Sequence, residues 1–268
     1  MLKDITLGQF FPGTTVMHRL DPRTKLIAVI LYVIALFNAK GVVGYLVMAG
    51  VLIACIAVSK VQMKALTRGL KPIYFIIIFT AIMNLFFTGG EPLGEGWLLS
   101  HITHEGVETA IYMVLRIIML IMGTFLVTYT TSPISLTDGL ENLLGPLKKV
   151  HLPVHELAMM MSIALRFIPT LIEETDKIMS AQKARGADFE SGNLLQRAKA
   201  MVPILVPLFI SAFRRADELA TAMECRCYHG GEGRTALHVL KYEKIDYIAL
   251  ALFAGLIVVI FVLKHFGI

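Results

Sequence analysis

Two arginines, Arg185 and Arg226, are the side chains best placed to act on a partner, because each closes a stretch built on one plan. The stretch from Asp176 to Arg185 reads Asp-Lys-Ile-Met-Ser-Ala-Gln-Lys-Ala-Arg, and 41 positions later Asp217 to Arg226 reads Asp-Glu-Leu-Ala-Thr-Ala-Met-Glu-Cys-Arg. In register, Asp176 meets Asp217, Ile178 meets Leu219, Ser180 meets Thr221, Ala181 meets Ala222 and Arg185 meets Arg226. On a helix, positions 178, 181 and 185 fall near one face, as do 219, 222 and 226. Each segment therefore presents an aliphatic residue, a small residue and a terminal arginine in a line. The chemistry this serves is recognition. Arginine at a helix C-terminus complements the dipole and offers a rigid fork of donors to carboxylates or carbonyls, while small neighbours admit a partner's backbone. In a helix-in-groove dock, Ile178 with Ala181 and Leu219 with Ala222 are the apolar anchors. The repeat suits two similar docking sites on one partner or on two related ones.

Other reactive constellations are missing. The sequence holds no Gly-x-x-x-x-Gly-Lys-Ser/Thr, so no P-loop for ATP is expected in this chain, and Gly230-Gly-Glu-Gly233 lacks the lysine. Cys225 and Cys227 form a CxC pair without further sulfur ligands, and His151 with His155 straddles Pro153 without a third ligand. His101 and His104 are equally isolated, so no metal site is expected. No nucleophile stands beside a base. The chain reads as a non-enzyme that passes force or signal between a membrane part and something cytoplasmic.

The elements that carry the arginines follow from hydropathy. Of 268 residues, 56% are hydrophobic, and the mean hydropathy is +0.70, above the share of about half usual for soluble domains. Nearly uncharged runs at Leu26–Phe37, Val42–Ser59, Pro72–Gly90, Thr109–Thr131 and Tyr247–Leu263 predict five transmembrane helices, each needing about 20 residues. Residues 26–59 as one helix would measure about 50 Å, too long for a bilayer, so two spans joined near Asn38–Gly41 are expected. Asp21 before Pro22 is an N-cap with proline at the first helical position, and Arg23 and Lys25 are expected to snorkel. Met1–Phe11 has no long apolar core, so no cleavable signal is read there.

Charge sets the orientation. Of the 25 Lys and Arg, 22 fall before the first span, between the second and third, or between the fourth and fifth. That side is the cytoplasm by the positive-inside rule, with the N-terminus on it and the C-terminus outside. The loop from Gly89 to Glu108 carries Glu91, Glu95, Glu105 and Glu108 and no basic residue, as an external loop should. Arg116, inside the fourth run, is expected to pair within the bundle or to serve a solute.

From Ser132 the chain changes character. Residues 133–244 hold fourteen basic and thirteen acidic side chains, a balance that argues against nucleic-acid binding. Asp138 with Glu141 reads as a capping box for a short helix closed by Gly145-Pro146. Pro153 introduces an apolar helix that Pro169 is expected to interrupt, and a further helix ends at Gly186. Asn193 with Gln196 opens a long helix that passes Pro203 and Pro207 and is expected to stop at Gly230-Gly231. Each long helix is apolar in its first half and polar in its second, so its stem belongs in the membrane interface and its tip in the cytoplasm.

Several stretches together resemble one family. His18-Arg-Leu-Asp-Pro-Arg-Thr-Lys25, the run from Leu152 to Pro169 and the two arginine-tipped helices look like the transmembrane T component (EcfT) of energy-coupling factor transporters, which are ABC importers of vitamins and other micronutrients. In that family two Ala-Arg-Gly motifs end the coupling helices, and each docks in a groove of one of two ATPase subunits. The first stands here as Ala184-Arg185-Gly186. The second departs: Cys225-Arg226-Cys227 keeps the arginine and a small residue before it but loses the glycine, so its turn is expected to use Gly230-Gly231. The resemblance implies an all-α polytopic membrane protein, with about five transmembrane helices and a helical cytoplasmic coupling module before the last. Its segments would be 1–21, a cytoplasmic N-terminal segment; 22–131, four spans; 132–244, coupling helices; and 245–268, the last span. It further implies two ABC ATPase subunits that bind the ATP and Mg, as a homo- or heterodimer. The other partners would be a membrane-embedded substrate-binding (S) component and the lipid bilayer of the cell membrane. Met159, Met160, Ile163, Phe167, Ile204 and Leu208, on the apolar stems, are the expected S-component contacts. A self-sufficient secondary transporter would need a polar midplane site, and the spans supply mainly Arg116. A scaffold without transport is the third reading.

Overall fold

The computed structural model describes residues 10–89, 103–150, 153–189, 193–230 and 239–266. Glu91, Glu95, His101, His151 and Gly231 lie outside the described residues. The regular elements are helices: α1 Val16–Arg19, α2 Pro22–Asn38, α3 Gly41–Ser59, α4 Met63–Leu70, α5 Tyr74–Phe87, α6 His104–Thr130, α7 Pro133–Leu143, α8 Val154–Ala184, α9 Leu194–Cys225 and α10 Lys244–His265. This is the all-α, polytopic membrane architecture read from the sequence. Among the described residues, six stretches are long and apolar enough to cross a membrane: α3, α4 with α5, α6, α8, α9 and α10. The 17-residue α2 adds a shorter apolar rod. The chain divides into two compact units, residues 8–139 with 240–268, and residues 140–239.

In the first unit α2, α3, α6 and α10 enclose a core that includes Leu36, Met48, Leu52, Leu126, Tyr129 and Ile260. Gly123 is required there: a Cβ at that position would sit 2.8 Å from the Tyr32 ring, so only glycine lets α6 pass so close to α2. The break between the first two spans falls where expected, α2 ending at Asn38 and α3 starting at Gly41. The third span starts earlier than expected. Pro72 sits in a short 3-10 turn that continues α4 into α5 instead of opening a helix.

The leading motif, whose Arg23 and Lys25 were expected to snorkel, is a knot of buried polar groups. Asp21 caps α2, accepting from Arg23 N at 2.9 Å and pairing with Arg23 Nη2 at 2.8 Å. Asp246, only 1% exposed, accepts from Asp21 N at 2.9 Å and from Glu243 N at 2.8 Å. Lys25 does not snorkel to water. It is 3% exposed and donates to the carbonyl of Thr130 at 2.9 Å and to that of His18 at 3.3 Å. The end of α6 supplies carbonyls that its own ladder leaves open, and the ammonium satisfies them. Arg23 stacks its guanidinium on Tyr242, 4.0 Å from the ring centre.

Arg116 pairs inside the bundle. Its Nε donates to Tyr45 Oη at 3.0 Å and its guanidinium lies 5.6 Å from the Phe37 ring centre.

Three expected helix boundaries move. Asp138 and Glu141 do not cap α7; the helix starts at Pro133, and Ser132 Oγ accepts from Ser135 N at 3.1 Å. Serine followed by proline is the stronger start signal, which leaves the acidic pair inside the helix. Pro169 does not interrupt α8, which runs unbroken past it, because a proline removes one backbone donor and the flanking turns hold. And α9 stops at Cys225, before Gly230.

Candidate docking site on the paired helices

Both arginines sit at helix ends of the same construction. At the end of α8, Arg185 N donates to Gln182 O at 3.1 Å, Gly186 N to Lys183 O at 3.0 Å and Ala187 N to Gln182 O at 3.0 Å. At the end of α9, Arg226 N donates to Met223 O at 3.1 Å, Cys227 N to Glu224 O at 2.8 Å and Tyr228 N to Met223 O at 3.0 Å. Each bond in the first set has its counterpart 41 residues on in the second. These are Schellman-type closures, which need a left-handed residue just past the end. Gly186 supplies it with φ +86, and Cys227 does so with φ +56. The expected use of Gly230-Gly231 for the second turn is therefore corrected: the cysteine itself takes the conformation, at a steric cost of about 1 kcal/mol.

The tips are open. Ala181, Ala184, Arg185, Gly186 and their counterparts Ala222, Cys225, Arg226 and Cys227 are all exposed. Ile178 and Leu219 are half-buried. Leu219 lines a hollow of about 260 Å³ with Ile163, Phe167 and Met223, so this anchor faces α8 as well as the tip.

A short link returns the chain along α8, so the helices pack antiparallel, as short connections dictate. Gln182 of α8 donates to the carbonyl of Pro203 at 3.5 Å, while Ile163 and Phe167 lie beside Leu219 and Met223. Between these, Glu174 Oε2 takes an ion pair from Arg215 Nη2 at 3.0 Å, and Glu174 Oε1 accepts from the Ser211 hydroxyl. The stem of each helix therefore lies beside the tip of the other. At 1.5 Å per residue, each arginine is about 19 Å along its helix from the crossing, so the two stand up to about 38 Å apart.

Of the six expected stem contacts, Met160 is 54% exposed, and Met159, Ile163, Phe167 and Leu208 are half-buried. Ile204 is corrected: at 4% exposure it has no surface to give a partner. The larger apolar face of α9 was missed. Met201, Leu205, Val206, Phe209, Ile210 and Phe213 are all exposed along it, and their spacing of about four residues was the available signal. His155 is engaged with Glu141 Oε1 at 2.8 Å.

The fold and the matched pair of arginine-ended helices define a polytopic helical membrane protein, and comparison with known proteins places it among transport components. The family model described as CbiQ, cobalt transport protein, matches residues 13–237. The chain is 55% identical over 251 residues to the energy-coupling factor transporter transmembrane protein EcfT of Clostridium kluyveri, covering 93% of each chain. It is 52% identical to the EcfT of Thermosediminibacter oceani over 99% of each, and 50% identical to that of Bacillus subtilis over 91% of each. The chain belongs to the EcfT family of energy-coupling factor transporter transmembrane proteins.

Proposed function

We propose that this chain is the coupling subunit of an energy-coupling factor importer. Its α8 and α9 tips dock two ABC ATPases, and their ATP-driven motion is passed to a membrane-embedded S component that takes up a vitamin or other micronutrient. The observation that carries the reading is the duplicated helix end: two exposed arginines, each behind the same backbone closure, at opposite ends of one antiparallel pair. A partner with two like sockets is the simplest object that uses both. ATP and Mg belong to those partners, since this sequence has no P-loop. The exposed apolar face of α9, together with Met160, is the surface offered to the S component and to lipid. The distribution of Lys and Arg supports a cytoplasmic N-terminus, and membership of the transporter family supports the cell membrane as its location.

Purification from native membranes in mild detergent tests this. Two P-loop ATPases should accompany the chain. Arg185→Ala or Arg226→Ala should each cost about 2 kcal/mol of docking, roughly a thirtyfold loss of affinity. Saturable binding of ATP to the purified chain alone, or full retention of the ATPases by the double variant, would refute the reading.

A further inference from the structure

The spacing that relates the two tips also relates the residues where the helices cross. Glu174 and Arg215 are 41 positions apart, as are Leu171 and Ala212, and as are Arg185 and Arg226. Contacts along the pair obey the same rule. Leu171 with Ala212 lines both hollows that flank the crossing, one shared with Phe167 and Ala216, the other with Leu208 and Thr175. Phe167 and Leu208 are 41 apart, and so are Thr175 and Ala216. Two antiparallel helices whose equivalent residues meet each other are related by a local two-fold axis. Here that axis runs beside the Glu174–Arg215 contact, between the two hollows that Leu171 and Ala212 both line.

Near such an axis a position meets its own counterpart, and identical charges there would repel. The sequence avoids this by placing a carboxylate on one helix and a guanidinium on the other. The result is an ion pair of 3.0 Å, with Ser211 satisfying the second carboxylate oxygen. The side chains are 24% and 33% exposed, and Arg215 Nε is enclosed with no acceptor, so losing Glu174 would leave the guanidinium unpaired in a confined place. Elsewhere the crossing is lined by apolar or small groups, with Leu171, Thr175, Ala212 and Ala216 close to the axis. Smooth contacts of that kind permit sliding, whereas a charged pair fixes register.

We infer that Glu174 and Arg215 are positioning residues: their clasp at the local two-fold axis sets how α8 and α9 diverge, and so fixes the separation of Arg185 and Arg226. The use of that separation rests on the docking reading above, but the separation itself is a property of this chain. The test is therefore made on the full chain in lipid nanodiscs, without ATPases. Nitroxide labels are placed at Ser180→Cys and Thr221→Cys, an exposed and equivalent pair, after Cys55, Cys225 and Cys227 are replaced by serine. Pulsed electron resonance should give one narrow distance. Glu174→Lys or Arg215→Glu alone should shift it by about 5 Å, one helical turn, or double its width. The exchange Glu174→Arg with Arg215→Glu should restore it, which a general loss of packing would not do. An unchanged distance in both single variants overturns the inference, as does a distance that stays displaced in the exchange variant. If the single variants lose helicity by circular dichroism, the exchange variant alone decides. Failure of the ATPases to co-purify would sink the docking reading while leaving this distance result intact.

Discussion

The four-helix core of α2, α3, α6 and α10 and the tips of the α8–α9 pair handle charge in opposite ways. In the core, Asp21, Lys25 and Asp246 are buried, and Lys25 and Asp246 each bond a backbone group from a distant part of the chain. On the pair, Arg185 and Arg226 stand in the open, and only their backbone is held. The first arrangement spends side-chain charge on holding helix ends together. The second keeps the charge free and makes the backbone rigid instead, as a surface meant for a partner requires.

That contrast is easiest to break at Asp246. Replacing it with alanine strips the acceptor from two backbone N–H groups, those of Asp21 and Glu243, and should lower unfolding stability by about 3 kcal/mol. Thermal unfolding in detergent reads this directly; an unaltered midpoint would show that the buried carboxylate is not structural. Arg185→Ala in the same assay should change stability by no more than about 0.5 kcal/mol, because the lost group is exposed. Next in size is Gly123→Ala, whose methyl must displace the Tyr32 ring, at about 1 to 3 kcal/mol. The smallest effects separate the tips from each other. Gly186→Ala should weaken its closure by about 1 kcal/mol, whereas Cys227→Gly should strengthen the other by a similar amount. Hydrogen exchange at the Ala187 and Tyr228 amides, each bonded back across its turn, would register opposite changes. Changes of the same sign would mean that the two ends are not equivalent.

Much of this was legible in the chain. Apolar runs placed α3, α5, α6 and α10, though not α8 and α9 as stretches long and apolar enough to cross a membrane; Asp21-Pro22 and Asn193 with Gln196 placed two helix starts, and the repeat placed both arginine ends. What could not be read were properties that depend on who stands opposite. Lys25 looked like an anchor because its sequence neighbours are polar; its acceptor, Thr130, is 105 positions away. Asp246 carried no signal in the sequence, because Asp21 N, from which it accepts, is 225 positions away. The gradient along α8 and α9 described each helix alone, since periodicity is silent on the direction of its neighbour. Cys227 concealed a left-handed turn that composition would assign to glycine.

The reach of the α8–α9 pair works as a ruler. Ends up to about 38 Å apart exceed what one face of a compact 100-residue domain, with a radius of gyration near 13 Å, spans comfortably. Whatever grips both ends must be broad or bipartite, and any change in the gap between its two halves becomes strain along a single rod pair.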